Sequence, residues 1–347
     1  MSYTLSIHGG DIYEKDIRLD FSVNINAFGP DPSIVRAMHD AVGHVTEYPE
    51  YGSGRLKRKL ADVLGIDEDW ITLTNGASEA FIAITQGLKP RTGIVQSPSF
   101  YGYTYALQAA GALTASCEAA DIKAYAKSAL DSDAEMIFIA DPNNPTGERP
   151  DAALVRELAV KTGEQGRHTV IDECFLPLTG EDGSSLINSL SDEAGSYAGT
   201  VIVRSFTKTF AIPGIRLGYC VCTDAGTNRI IRSQLPEWNI SNIAQEAGMA
   251  ALDCIDTVTE QIRRIGLERV RLAAGLSALG LVPADAKANF LLFRGPEDLK
   301  ERLLSRGILI RDCSNFSGLG KGYFRTAVLR PEEDDELLDA LRAVLER

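Results

Sequence analysis

The segment SFTKTFAIPGIRLGY, residues 205–219, decides how the rest of this chain is interpreted. It follows an apolar run at residues 200–204 and places Lys208 among small hydroxyl residues, with Arg216 eight positions later. A lysine at the end of a strand, with hydroxyl groups beside it, suits a Schiff-base nucleophile next to a bound phosphate. An exposed loop with a solvated lysine and arginine is the alternative, and this segment alone leaves it open.

Composition and charge narrow the class of protein. The chain has 347 residues, 44% of them hydrophobic, and this length suggests two domains around a sizeable core. The net charge of −13 argues against a nucleic-acid partner, so an anionic substrate would need a local cluster of arginine and histidine. Because we find no membrane-spanning stretch and no signal-peptide pattern, we expect a cytoplasmic protein without a membrane partner.

Cysteine and histidine usage points to neither disulfides nor metal. The six cysteines are scattered, which fits free thiols in a reducing compartment. The four histidines show no ligand spacing, so we expect no metal site.

Apolar runs and amphipathic stretches alternate through the first two-thirds of the chain. We predict strands at residues 70–74, 92–96, 136–140, 168–171, 200–204 and 218–222, with helices between most of them, such as 53–64, 77–87 and 152–162. This alternation predicts an α/β fold with a mainly parallel sheet covered by helices on both faces. A long amphipathic stretch at 243–279 then leads to strands at 289–293, 308–311 and 324–328, a helix from about 296 and a charged final helix, which predict a smaller α+β domain.

Two glycine-containing turns follow predicted strands. NGASE, residues 75–79, opens a helix, and its glycine and free N–H groups would let the backbone approach an anion. DPNNPTG, residues 141–147, ends another strand. Each also has a simpler interpretation, a helix cap for the first and an ordinary turn for the second.

Asp172 and Glu173 lie at the end of the strand predicted at residues 168–171. Ligands of α/β sheets bind at the carboxyl ends of the strands, which is where the Asp172 side chain is expected. A charge there is costly unless it is paired, and a protonated pyridine nitrogen would pair it. A helix-capping aspartate is the alternative when the residue is considered alone.

Taken together, these motifs resemble the fold-type-I pyridoxal-phosphate enzymes related to aspartate aminotransferase. The resemblance implies that Lys208 carries pyridoxal 5'-phosphate, that Asp172 keeps the pyridine ring cationic, and that Asn144 meets the phenolic oxygen. Phe100 would stack on the ring. The remaining cofactor contacts that it implies are Gly76, Ala77, Ser78, Ser205, Thr207, Arg216 and Tyr48, the last from the neighbouring subunit of a homodimer with shared active sites.

The same resemblance implies a domain division. A segment at 1–30 would contribute to the substrate site, 31–242 would form the large cofactor-binding domain, and 243–347 the small C-terminal domain with the linking helix. One position departs from the aminotransferase pattern: Phe175 stands where a tyrosine usually donates to the phenolic oxygen.

The outer segments indicate the branch of the family. IHGGD at 7–11, LDFSVNIN at 19–26, ILIRDCSNFSGL at 308–319 and YFRTA at 323–327 resemble the decarboxylases of L-threonine O-3-phosphate in cobalamin biosynthesis. The resemblance implies a small phosphorylated amino acid as substrate, with O-phosphoserine also possible, and a histidinol-phosphate-type aminotransferase as the alternative function. The substrate-binding residues that it implies are His8, Gly9, Asn24, Asn144, Arg311 and Arg325. Considered alone, the two arginines could instead be surface strand residues, and His8 could be inert.

Overall fold

A computed structural model describes residues 9–13, 16–119 and 121–346 of the chain. Its strands are β1 (Leu19–Asp20), β2 (Ile71–Thr74), β3 (Thr92–Ser97), β4 (Leu113–Glu118), β5 (Met136–Ala140), β6 (His168–Asp172), β7 (Thr200–Ser205), β8 (Gly218–Val221), β9 (Phe290–Arg294), β10 (Ile308–Leu309), β11 (Arg311–Asp312) and β12 (Tyr323–Ala327). Its α-helices are α1 (Pro32–Ala41), α2 (Gly54–Leu64), α3 (Gly76–Leu88), α4 (Tyr101–Ala109), α5 (Ile122–Asp131), α6 (Ala152–Glu164), α7 (Ile187–Glu193), α8 (Phe206–Thr209), α9 (Ala225–Arg232), α10 (Asn242–Asp253), α11 (Ile255–Ala278), α12 (Leu299–Leu304) and α13 (Pro331–Leu345).

The central sheet has seven strands in the order β2-β8-β7-β6-β5-β3-β4. Strands β3 to β7 run parallel, and β8 runs antiparallel to both β7 and β2. Every residue of β5 is buried, as expected of a strand that is covered on both faces. The predicted α/β class, with a mainly parallel sheet between helices, is confirmed.

The sequence analysis missed strand β4, which lies at the edge of this sheet. Its residues are mostly exposed, so it lacks the apolar run by which the other strands were recognised. It is a strand because it pairs with β3, and no local sequence pattern indicates that pairing.

The C-terminal part forms a smaller unit around a three-stranded antiparallel sheet, β11-β12-β9. The chain's N-terminal segment joins it, because β1 pairs with β10 and Phe21 lies in the core formed by α11, α12 and α13. The predicted division at residues 30 and 242 stays a prediction.

Two predicted elements are each divided in the structure. The stretch at 243–279 consists of two helices, α10 and α11, which meet at Cys254. The strand expected at 308–311 is two strands, since β10 pairs with β1 whereas β11 pairs with β12. This change of partner places Arg311 directly opposite Arg325. Among the described residues, no helix is long and apolar enough to span a bilayer.

A buried carboxyl pair joins α11 to α13. Asp334 is fully buried, and its Oδ1 accepts a hydrogen bond from the backbone N–H of Leu329 at 3.1 Å. Its Oδ2 receives no hydrogen bond from the described residues and faces Glu268, whose carboxylate also accepts from Arg271, so a proton on Asp334 would give Oδ2 a partner in Glu268. Burial, assisted by Glu268, raises the pKa of Asp334 to about 8.

Replacing Asp334 by asparagine should make stability less dependent on pH. In the wild type, Asp334 keeps its proton in the folded protein up to about pH 8 but loses it near pH 4 when unfolded, so stability falls as pH rises between these values. An asparagine amide donates to Glu268 at any pH. The advantage of the variant over wild type in free energy of unfolding should therefore increase by about 1–3 kcal/mol from about pH 6 to about pH 8. Thermal unfolding at both pH values measures this.

The control is Asp335→Asn, which removes an exposed carboxylate on the same helix that accepts a hydrogen bond from Arg271 at 2.6 Å. It should leave the wild-type pH dependence in place. An equal decline with pH in Asp334→Asn and wild type would contradict the buried proton.

Candidate functional site

The carboxyl ends of β5, β6 and β7 and the start of α3 surround a cavity of about 110 Å³. It is lined by Ala77, Ser78, Phe81, Phe100, Tyr103, Pro142, Asn144, Asp172, Cys174, Phe175, Ser205, Thr207, Lys208 and Arg216. A larger cleft of about 750 Å³ lies behind α8, between α2 and α11. We assign the functional site to the smaller cavity, because it holds the lysine and the strand-end carboxylate together.

Lys208 reaches this cavity from α8, the short helix that follows β7. The Ser205 side chain begins the helix by accepting from the backbone N–H of Thr207 at 3.1 Å. Burial lowers the pKa of Lys208; the cations of Arg325 and Arg216 lower it further, while Asp172 opposes them. A larger neutral fraction makes the amine a better nucleophile.

Asp172 lies at the end of β6 with 8% of its surface exposed. The Tyr103 hydroxyl donates to its Oδ2 at 2.6 Å, and the backbone N–H of Cys174 donates to its Oδ1 at 2.9 Å. Burial raises the pKa of Asp172, and these hydrogen bonds oppose that rise by stabilising the ionised form. The result is a buried carboxylate suited to a cationic partner.

The other wall of the cavity is suited to a phosphate. Gly76 has φ +73, and a Cβ there would lie 2.7 Å from Nη2 of Arg216, so this guanidinium lies directly over the glycine. The hydroxyls of Ser205 and Thr207 are 2.6 Å apart. The N-terminus of α3, with Ser78 in its first turn, adds free N–H groups and a positive dipole end.

These observations test whether the residues present fit pyridoxal phosphate. An arginine that lies over Gly76, a buried carboxylate and a lysine of lowered pKa all line one cavity, and Phe100 provides an aromatic face. Arg216 and the nearby hydroxyls suit an anion at one end of the cavity, such as the phosphate of that cofactor. The Asp172 carboxylate suits a cation at the other end, such as its protonated ring nitrogen. The residues fit the group.

A second cluster lies where the small sheet faces the cavity. Arg325, only 6% exposed, donates to the carbonyl of Ser22 at 3.0 Å and to Oδ1 of Asn144. The Asn24 amide, with its oxygen turned towards the guanidinium, accepts from Nε at 3.1 Å and from Nη1 at 3.2 Å. The oxygens of Ser22, Asn24 and Asn144 that accept these hydrogen bonds are neutral, and burial lowers the pKa of Arg325 to about 10, so it stays a cation near neutral pH.

Arg311 lies opposite Arg325 in the β11–β12 register, so both side chains leave the same face of the sheet. Its Nη2 donates to Oδ1 of Asn315 at 2.8 Å, and its guanidinium carbon lies 5.4 Å from the Phe316 ring centre. Two buried cations side by side repel each other, which favours an anion between or beside them.

The N-terminal segment connects this cluster to the lysine. The backbone N–H of Asn26 donates to the carbonyl of Lys208 at 2.9 Å. A Cβ at Gly9 would lie 2.2 Å from the carbonyl oxygen of Ser22, the same carbonyl that accepts from Arg325. His8, which was predicted to bind substrate, lies outside the described residues.

Tyr48 is the predicted cofactor residue that stands apart from the cavity of its own chain. It is 81% exposed, and its ring centre lies 4.8 Å from that of Trp238. Its predicted contact with a neighbouring subunit stays a prediction, as do the roles of the other site residues.

Sequence reasoning did not identify Tyr103, Cys174 or Ser22 as site residues. Tyr103 follows Phe100 by three positions, about one helical turn, which was a possible signal once Phe100 had been chosen. Cys174 and Ser22 act through backbone groups, which any residue type supplies. Among the described residues, no group of three histidine, cysteine or acidic side chains could hold a metal ion.

Known proteins share this fold. Residues 16–341 match the family model described as aminotransferase class I and II. The chain is 33% identical to the threonine-phosphate decarboxylase of Salmonella typhimurium, with 98% of this chain and 97% of the relative covered. It is 29% identical to an adenosylcobalamin biosynthesis bifunctional protein of Leptospira interrogans, with 96% of this chain but 40% of that relative covered.

Two solved structures extend the comparison. The L-threonine-O-3-phosphate decarboxylase from Porphyromonas gingivalis is 26% identical with a TM-score of 0.85, covering 95% of this chain and 100% of that one. A histidinol-phosphate aminotransferase from Sinorhizobium meliloti, solved in complex with pyridoxal-5'-phosphate, is 25% identical with a TM-score of 0.85, covering 95% and 91%. The chain belongs to the aminotransferase class I and II family. The predicted family is confirmed, and these relatives support the predicted cofactor.

Replacing Gly76 by alanine should weaken cofactor binding. The new methyl group would meet Arg216 at 2.7 Å, and alanine is strained at φ +73, so the phosphate wall must shift. We expect the affinity of the apoprotein for pyridoxal phosphate to fall about tenfold or more. Titration of the apoprotein, followed by absorbance or fluorescence, measures the change.

Gly111→Ala is the matched control, since Gly111 has φ +82 and a Cβ there would meet nothing within 4 Å. It carries the same backbone strain without the contact with Arg216. The interpretation that Gly76 leaves room for Arg216 at the phosphate is wrong if both variants bind the cofactor as wild type does.

Proposed function

We propose that this protein is a pyridoxal-phosphate-dependent decarboxylase that converts L-threonine O-3-phosphate to (R)-1-aminopropan-2-yl phosphate in cobalamin biosynthesis. The observation that carries the proposal is the pair of buried arginines, Arg311 and Arg325, which lie opposite each other in the small sheet, with Arg325 bonded to Asn144 of the lysine cavity. A substrate with both a carboxylate and a phosphate needs more than one cation. The two decarboxylase relatives and the cobalamin-related relative support the same substrate class.

The protein's part begins with holding the cofactor. Lys208 would carry it covalently, Asp172 would hold a proton on its ring nitrogen, and Arg216 with nearby hydroxyls would hold its phosphate. Phe100 would lie against the ring and Asn144 near the phenolic oxygen. When bound, pyridoxal phosphate supplies a cationic ring that accepts the electron pair released when a bond at Cα breaks.

Which Cα bond breaks depends on its orientation, because only a bond perpendicular to the ring can release its electrons into the π system. A decarboxylase must therefore turn the substrate carboxylate out of the ring plane. Arg325, fixed by Asn24 and Ser22, and Arg311, opposite it, can anchor both anions and impose that rotation. After loss of carbon dioxide, Lys208, once protonated, would supply the proton that Cα needs.

The second candidate is a histidinol-phosphate-type aminotransferase. The likeness to the Sinorhizobium meliloti enzyme favours it, since the same lysine and carboxylate can serve cleavage of the Cα–H bond. Phe175 favours the decarboxylase, because its ring lies 5.8 Å from Nζ of Lys208 and offers no hydroxyl where aminotransferases usually have one.

Product analysis of the wild-type enzyme tests the proposal. With O-phosphothreonine we expect carbon dioxide and aminopropanol phosphate in equal amounts, with the cofactor remaining in its aldehyde form. Unphosphorylated threonine should lose kcat as well as affinity, because binding energy at the phosphate serves orientation at Cα. O-phosphoserine, tested in parallel, defines the substrate range, and Lys208→Ala provides the inactive control. Glutamate-dependent amino transfer to imidazole-acetol phosphate, without carbon dioxide release, would establish the aminotransferase instead.

Arg325→Ala should disturb both rate and reaction choice. Removing a buried, hydrogen-bonded cation that anchors the substrate should lower kcat/KM about a hundredfold or more. The substrate carboxylate would then also sample positions in the ring plane, so part of the residual turnover should convert the cofactor to its amine form. Steady-state assays and the visible spectrum of the cofactor report the two effects.

Arg294→Ala serves as the comparison, because Arg294 is an exposed arginine of the same sheet whose guanidinium lies over Tyr323, away from the cavity. It should retain wild-type turnover. Full activity in Arg325→Ala would remove this arginine from the substrate site.

We also propose a homodimer with shared active sites in the cytoplasm. Tyr48, Tyr51 and Trp238 form an exposed aromatic cluster, the kind of surface that a partner subunit covers. From there Tyr48 would reach the cofactor phosphate of the partner. All six cysteines are free thiols, which suits a reducing compartment.

A further inference from the structure

The Tyr103 hydroxyl contacts Asp172, and no step of the reaction proposed above uses this tyrosine. This side chain, 2% exposed, extends from the first turn of α4 and donates to Oδ2 of Asp172 at 2.6 Å. That distance is typical of a strong hydrogen bond from a neutral hydroxyl to a carboxylate.

The ring of Tyr103 is confined on several sides. It stacks on Phe138 with centres 5.1 Å apart and planes at 20°, and it meets Phe81 edge-on at 5.1 Å. It also meets Phe100, the expected stacking partner of the cofactor, edge-on at 5.6 Å. The hydroxyl therefore cannot swing away from Asp172 without unpacking the core, and the same ring fixes the position of Phe100.

Three side chains face Asp172, and they bear on its hydrogen bond from Tyr103. Lys208 faces it from α8, Cys174 follows it in the chain, and Tyr103 faces it from α4. Burial and the carboxylate raise the pKa values of the Tyr103 hydroxyl and the Cys174 thiol well above their usual range, so both stay neutral. Tyr103 thus remains a donor at any working pH.

We propose that Tyr103 is a positioning residue that keeps Asp172 ionised and aimed at the ring nitrogen of the bound cofactor. The proposal rests on the proposed cofactor, but it holds for decarboxylation and transamination alike. A proton between the ring nitrogen and Asp172 stays on nitrogen only while the carboxylate is stabilised. Without the hydroxyl, that proton moves towards Asp172, and the ring attracts electrons less strongly.

Tyr103→Phe removes the hydroxyl and keeps the ring packing. We expect kcat to fall about ten- to a hundredfold, with KM within about threefold of wild type, since the lost bond acts on the electron sink and not on substrate contacts. Two readouts need no turnover. Apoprotein affinity for pyridoxal phosphate should weaken, and the pH midpoint of the cofactor's visible absorbance should rise, because a less cationic ring leaves the lysine-bound nitrogen more basic.

Tyr125→Phe is the matched control. Tyr125 is fully buried on the opposite face of the sheet and donates to the carbonyls of Phe138 at 2.5 Å and Ile94 at 3.2 Å. Its loss should lower thermal stability at least as much as Tyr103→Phe, with an unchanged absorbance midpoint and cofactor affinity.

A double-mutant cycle shows whether Tyr103 acts through Asp172. Adding Tyr103→Phe to Asp172→Asn should change kcat by less than about threefold, because the charge it stabilises is already gone. Full additivity, an unchanged midpoint in Tyr103→Phe, or an equal midpoint shift in Tyr125→Phe would each overturn the proposal. None of these results depends on which product the wild type forms, so the proposed reaction can fail while this inference stands.

Discussion

A carboxylate buried at the end of a central strand is the constraint on which the site depends. Asp172 ends a strand that is almost wholly buried, where an unpaired charge is costly. Two hydrogen bonds lessen this cost, but only a cation removes it. The cavity above Asp172, bounded by the lysine, Arg216 and Phe100, is where such a cation fits, and the cofactor's ring nitrogen would provide it.

Ion pairs hold the ends of the neighbouring strands in place. Arg204 donates to Glu173 at 2.9 Å and to Asp182 at 2.6 Å, and Arg149 binds both oxygens of Asp141 at 2.6 and 2.8 Å. These pairs connect the ends of β5, β6 and β7 to the loops that follow. Losing Arg204 or Arg149 would leave a buried carboxylate, Glu173 or Asp141, without its ion pair, which is strongly destabilising.

The small unit brings a buried cation next to the lysine cavity, because Arg325 donates to Asn144 in the wall of that cavity. The β11–β12 register places Arg311 and Arg325 side by side, and the N-terminal segment adds Asn24 and Ser22 around Arg325. This segment also bonds to the backbone of Lys208. A movement of the small unit against the large one would therefore affect both Lys208 and Arg325.

By itself, the sequence determined the fold class and predicted which polar residues would lie near the ends of the central strands. Asp172 is the last residue of β6, and Lys208 and Gly76 lie within three residues of the ends of β7 and β2, so a local pattern marks both the strand and the residue near its end. Tertiary structure alone decided the rest. Strand β4 exists through its pairing with β3, Arg311 meets Arg325 through a change of strand partner, and Tyr103 reaches Asp172 across 69 residues of chain. Such contacts depend on register and packing between distant segments, which local periodicity does not encode.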